Sequence, residues 1–170
     1  KPPGLPLDDV GLGQADELAR RLAREPVSAV HASRAVRAQQ TAAPVAAAHG
    51  LPVDVIDGVQ EVFCGDLEGR TDHPSREAFE HVYQGWLRGE LAAHLPGGES
   101  ALDLRARFLP ALDAVTAAAR DTVVVVSHGA AIRPRRRGHA RRIRRDPLRP
   151  QRGRRRTHRL SGPVDAGTLG

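Results

Sequence analysis

The stretch Thr122-Val123-Val124-Val125-Val126-Ser127-His128-Gly129 decides the fold class. Consecutive β-branched residues read as a strand buried on both faces, the pattern of a parallel α/β sheet. In such sheets ligands collect beyond the carboxyl ends of the strands, and this valine run stops at Ser127, His128 and Gly129. His128 therefore stands where chemistry is usually done, although a histidine that merely closes a turn would sit there too. Upstream, helical and strand patterns alternate. Leu12, Ala15, Leu18, Ala19 and Leu22 recur at helical spacing ahead of Pro26, and Ser28 to His31 reads as a short strand. A helix follows, with Ser33 as its N-cap, Ala38, Ala42 and Val45 on one side, a kink expected at Pro44 and an end at His49-Gly50. A strand is expected from Val53 to Ile56, then a turn at Asp57-Gly58. Pro74 to Leu91 reads as helix weakened by Gly85 and Gly89. Ser100 caps another helix, with Leu104, Phe108, Ala111, Leu112 and Val115 inward and a bend at Pro110. Strands alternating with helices predict an α/β fold, a mainly parallel sheet sandwiched by helices.

The 170 residues suffice for one domain with a genuine core. A single cysteine, Cys64, excludes an internal disulfide and fits a reducing, cytoplasmic setting. No apolar run approaches the roughly twenty residues of a membrane span, and no secretory signal pattern opens the chain. Walker, Rossmann and zinc-ligand patterns are absent, so neither cofactor nor metal is expected. Charge is divided sharply. Residues 1–133 carry 13 Lys and Arg against 18 Asp and Glu, a net of −5, whereas residues 134–170 carry 13 Arg against 2 Asp, a net of +11. Three readings of that basic tail are open: an arm for nucleic acid or an anionic membrane, a disordered segment without a role, or a stretch read out of frame. The Arg, Pro, Gly and Ala bias and the loss of any apolar period after Arg133 favour the third.

Four segments carry a family resemblance. Ser33-Arg34-Ala35-Val36-Arg37-Ala38-Gln39-Gln40-Thr41-Ala42 resembles the S-x-x-x-R-A-x-Q-T-A segment of the histidine phosphatase superfamily, also called phosphoglycerate mutase-like. Glu61-Val62-Phe63-Cys64-Gly65-Asp66-Leu67-Glu68-Gly69 resembles its E-x-x-x-G-x-x-E-G loop, Pro96-Gly97-Gly98-Glu99-Ser100 its P-G-G-E-S turn, and Val126-Ser127-His128-Gly129 its second histidine motif. The resemblance implies that Arg37 binds phosphate, that His128 helps hold the phosphoryl group and its developing charge, and that Glu61 is the proton donor, with Glu68 as the lower-ranked carboxylate. Ser33 and Ser127 are candidate hydrogen-bond donors near the pocket, and Gly97 and Gly98 candidate points of backbone approach to substrate.

The departures matter as much. Family members open with a strand ending in R-H-G, whose histidine is the phosphorylated nucleophile, and these 170 residues contain no Arg-His-Gly. The expectation is a core over residues 1–133 that lacks its first strand, an aberrant tail over 134–170, and a fold incomplete at both ends that is poorly stable alone. The intact parent is expected to hydrolyse phosphomonoesters through a phosphohistidine, and this chain to be inactive. Only 23 residues separate Arg37 from Glu61, and 66 separate Glu61 from His128, a compact spacing that favours a broad phosphatase over a dedicated mutase. The rival reading is a non-catalytic binding module or a nucleic-acid binder acting through the tail.

Overall fold

Asp8 starts the first helix, its carboxylate accepting from the Gly11 N–H at 2.7 Å, and α1 runs from Asp9 to Leu22. The remaining elements follow in chain order as β1 (Val27–Ala32), α2 (Val36–Ala48), β2 (Val53–Val55), a 3₁₀ turn (Gly65–Leu67), α3 (His73–Arg88), α4 (Ala101–Ala117), β3 (Thr122–Val126) and the short α5 (Gly129–Ile132). This is a computed structural model that describes residues 4–117 and 119–133. The expectations for residues 134–170 lie outside the described residues. None of the described helices is long and apolar enough to cross a membrane.

The strands form a parallel sheet of order β2-β1-β3, with Ala32 opposite Val55 on one side and Val126 on the other. Side chains alternate across it, as the two-residue strand period requires. Val30, Ala32, Val124 and Val126 face a small-residue cluster built from Ala19, Ala38, Ala42, Val45 and Ala46 of α1 and α2. Val125 faces the opposite cluster, which holds Tyr83 and Trp86 of α3 with Leu104 and Phe108 of α4. Helices thus cover both faces, the architecture expected for a phosphoglycerate mutase-like α/β fold. Burying Leu104 and Phe108 contributes roughly 1.5–3 kcal/mol each.

Several local expectations need correction. Val123 to Val126 are only half-buried, because β1 is the sole partner of β3 among the described residues. Ser33 does not cap α2. The N-cap residue is Ala35, without a side-chain cap bond, and the Ser33 hydroxyl is engaged elsewhere. Both α2 and α4 run unbroken through Pro44 and Pro110. Helix α3 stops at Arg88, since Gly89 at φ 110° closes it from the left-handed region. Gly85 is compatible with that helix because its bare Cα leaves room for the Glu90 carboxylate; a Cβ there would lie 2.9 Å from it.

Candidate active site

The parallel register of β1 and β3 decides where the site lies. Ser33 continues the ladder one step past β1, its N–H donating to the Val126 carbonyl at 3.0 Å, so the residues following both strands emerge side by side. Ser33 Oγ lies 2.7 Å from His128 Nε2, and both residues are buried. Arg37, in the first turn of α2, reaches the other ring nitrogen, its guanidinium 3.2 Å from His128 Nδ1. A guanidinium can only donate, so Nδ1 accepts and the ring proton resides on Nε2, donated to Ser33. This arrangement requires a neutral imidazole. Burial, with a smaller contribution from the Arg37 charge, holds the His128 pKa below its ordinary value against the opposing pull of Glu61. The rest of the Arg37 segment is structural: Gln40 Oε1 accepts from the Leu7 N–H at 2.7 Å, and the Thr41 hydroxyl donates to the Arg37 carbonyl at 2.8 Å.

Glu61 joins from the loop after β2. One carboxylate oxygen, Oε1, accepts from the N–H groups of Val62 at 3.0 Å and Ala131 at 2.9 Å. Ala131 is the third residue of α5, so Glu61 caps the helix that begins directly after His128. Glu61 Oε2 has no partner among the described residues. The loop itself is held by Arg107 of α4. Its NH1 donates to the carbonyls of Gly58 and Gln60 at 2.8 and 3.0 Å, its NH2 to the Glu61 carbonyl at 2.9 Å, and NH2 and Nε grip Glu99 at 2.6 and 3.0 Å. All five guanidinium N–H groups are therefore committed. Gly58, at φ 88°, admits this approach, since a Cβ there would lie 2.6 Å from the Arg107 carbonyl.

Ser33, Arg37, Glu61, Glu68 and His128 line one cavity of about 460 Å³, together with Ala35, Val62, Phe63, Cys64 and Arg107. Glu68 Oε1 accepts from the Cys64 N–H at 2.9 Å. Burial, then the neighbouring Glu68 carboxylate, push the Cys64 thiol up to about 11, so it remains protonated and serves as part of the wall. Ser127 is not among the lining residues; its hydroxyl donates to the Val59 carbonyl at 2.8 Å, tying the end of β3 to the loop before Glu61. Gly97 and Gly98 also stand outside the lining, packed on the 63–66 loop. A Cβ on Gly98 would lie 2.6 Å from the Phe63 carbonyl, and one on Gly97, at φ 61°, 2.6 Å from the Asp66 carboxylate. Sequence reasoning did not single out Arg107 or the Val62-Phe63 wall, because nothing in the local pattern of α4 distinguishes Arg107 from a surface arginine. Among the described residues no group of three or more His, Cys, Asp or Glu is arranged to hold a metal ion.

Residues 1–138 match the Histidine phosphatase superfamily (branch 1). The chain belongs to this superfamily. A Yersinia pestis protein named "Probable phosphoglycerate mutase GpmB" is 31% identical over 128 residues, which are 75% of this chain and 60% of that relative. The solved mycobacterial glucosyl-3-phosphoglycerate phosphatase is 28% identical with a TM-score of 0.65, over 75% of this chain and 64% of the other. The alpha-ribazole phosphatase of Shigella flexneri is 26% identical with a TM-score of 0.58, over 74% of this chain and 63% of the other. The chain thus spans somewhat less than two thirds of the relatives it matches.

Proposed function

We propose that this histidine phosphatase superfamily chain carries the phosphate-holding and proton-donating part of a phosphatase that hydrolyses phosphomonoesters. The observation that supports the reading is the meeting of Arg37, Glu61 and His128, from three separate segments, at one cavity beyond the ends of parallel strands. Arg37 donates to His128 alone among the described residues, which leaves most of its planar fork for phosphate oxygens. A phosphate dianion beside His128 favours its imidazolium, which then donates to the same oxygens. None of the 170 residues stands in an Arg-His-Gly sequence, and the nucleophile is assigned to none of them. In the reaction as proposed, an imidazole nitrogen of that nucleophile bonds to phosphorus as the ester P–O bond breaks, and Glu61 gives its proton to the departing oxygen. Water then attacks, its proton passes to Glu61, and the P–N bond breaks to release phosphate. A solved mycobacterial relative, 29% identical, is a complex with inorganic phosphate, which fits this use of the cavity.

The test separates binding from turnover. The purified chain is expected to bind inorganic phosphate, to lose that binding in Arg37→Ala and His128→Ala, and to show no hydrolysis of an aryl phosphate. Hydrolysis that disappears in His128→Ala together with a trapped phosphohistidine would show that the nucleophile lies within this chain. Absence of phosphate binding would leave the non-catalytic module as the better reading.

A further inference from the structure

Both ring nitrogens of His128 are engaged, and their two partners differ in kind. At Nε2 stands the buried Ser33 hydroxyl, 2.7 Å away, a group that can give or take a hydrogen bond. At Nδ1 stands the Arg37 guanidinium, 3.2 Å away, which can only give one. Arg37 therefore occupies the Nδ1 lone pair, the ring proton goes to Nε2, and the Ser33 oxygen receives it. That oxygen is itself held in place. It also accepts from the Ala35 N–H at 3.4 Å, and the Ser33 N–H is bonded to the carbonyl of Val126, the last residue of the strand that leads into His128. An added proton thus has only Nδ1 to go to, where it competes with Arg37 for the same pair of electrons. While Arg37 donates to Nδ1 the ring stays neutral. Once Nδ1 carries a proton, two donors face each other and the guanidinium must turn away.

A tetrahedral dianion in the cavity shifts this competition. The Arg37 bond to Nδ1 is long and ends on a neutral acceptor, whereas bonds from a guanidinium to a dianion are charge-assisted, can be paired, and are roughly twice as strong. When Arg37 turns to the anion, the Nδ1 lone pair is freed beside a negative charge, which favours its protonation. Among the described residues the other charged groups acting on His128 are Glu61, from the loop after β2, which favours the imidazolium, and Arg107, from α4, which opposes it as Arg37 does. Glu68 lines the same cavity.

We propose that Ser33 is a positioning residue that makes phosphate capture proton-coupled: with Nε2–H held on Ser33, a bound phosphate draws Arg37 off Nδ1, a proton from solvent adds there, and Nδ1–H donates to a phosphate oxygen. This rests on the phosphate-site reading given above and adds the nitrogen that is protonated, the exchange at Arg37 and the residue that directs both. Burial holds the free imidazole below its ordinary pKa and the anion raises the bound one, so between the two values binding takes up a proton and affinity falls as pH rises.

The test is calorimetric binding of phenyl phosphate to the full chain between about pH 7 and 9, where a phosphomonoester with a second pKa of about 6 is already dianionic. Repeating each titration in buffers of different ionisation enthalpy counts the protons. Net uptake approaching about one proton per ligand is expected, with affinity falling by up to about tenfold per pH unit. Glu61→Gln should retain the uptake, which separates His128 from that carboxylate. Imidazole ¹⁵N resonances identify the nitrogen, those of His128 being assigned among the eight histidines by their loss in His128→Asn. Nε2 alone should be protonated without ligand, and both nitrogens with it. In Ser33→Ala the single tautomer should be lost and the affinity should fall about tenfold, the scale of one hydrogen bond. The resonances of the unsubstituted chain decide the matter if that variant does not fold. Binding without proton uptake, uptake that disappears in Glu61→Gln, a bound ring with Nδ1 unprotonated, or a Ser33→Ala variant that keeps the Nε2–H tautomer would overturn the proposal and leave the phosphate site standing. Failure to bind phenyl phosphate overturns both.

Discussion

Arg107 is the single side chain on which the Glu61 loop most depends. Lysine keeps the charge but replaces a planar five-donor fork with three donors on one nitrogen, so carbonyls of Gly58, Gln60 and Glu61 cannot all be satisfied in Arg107→Lys. A loss of about 2–3 kcal/mol is expected, read from urea unfolding followed by Trp86 fluorescence. Glu61 has two separable duties. Glutamine retains an oxygen to cap α5 whereas alanine does not, so Glu61→Ala is expected to cost about 1 kcal/mol of stability and Glu61→Gln much less. Equal losses would mean that the Ala131 N–H does not depend on that oxygen. His128 gives a pH dependence. Its folded pKa is depressed, so the unfolded chain binds a proton near its ordinary value of about 6.5 while the folded imidazole resists. Unfolding then takes up protons, and stability falls as pH drops below that value. In His128→Asn the slope of unfolding free energy between about pH 7 and 5 should flatten.

At the scale of elements, two loops are fitted closely to each other. The Glu61 loop and the Pro96-Gly97-Gly98-Glu99-Ser100 turn meet backbone to backbone, with Asp66 N–H donating to the Pro96 carbonyl at 2.8 Å. Gly65, at φ 58°, lies directly against Gly97 and Gly98, leaving no room for a Cβ. Gly65→Ala therefore combines a left-handed backbone with a clash against backbone atoms, and a loss of about 2–4 kcal/mol is expected in the same unfolding measurement. Gly69→Ala is the control, since its φ is similarly positive at 74° but nothing lies within 4 Å of its Cβ position. Comparable losses at both positions would assign the effect to backbone conformation rather than to the fit between loops. The alternation of helix and strand was legible because amphipathic period and turn residues act within a few positions. The inner role of this glycine turn was not, since which loop it packs against depends on residues more than thirty positions away, such as the Phe63 to Glu99 bond with a separation of 36.

At the scale of the whole chain, charge separates two regions. Residues 1–133 have a net of −5 and residues 134–170 a net of +11. Thirteen arginines without an aromatic residue among them supply charge without stacking surfaces. Any binding to unrelated DNA and RNA sequences is expected to be indifferent to sequence and to fall on the order of a thousandfold between about 50 and 200 mM salt if some six phosphates are contacted. Removing residues 134–170 should abolish it. Sequence-selective binding that survives high salt would instead support a selected binding arm over an out-of-frame stretch.

The amino-acid sequence by itself determined the order of helices and strands, the parallel α/β class and the motifs that hold Arg37, Glu61 and His128, because each is written in local periodicity, caps and short spacings. Tertiary structure decided which of those groups touch. Ser33 looked like a helix cap and instead meets His128 across 95 positions of chain, while Arg107 reaches back 46 positions to hold the Glu61 carbonyl. Gly97 and Gly98 went to loop packing rather than to the cavity lining. Such contacts are set by the parallel register of β1 and β3 and by the docking of α4 on the loop after β2. Local sequence patterns leave no mark of either, since a hydrogen bond between distant segments is specified by the packing of everything between them.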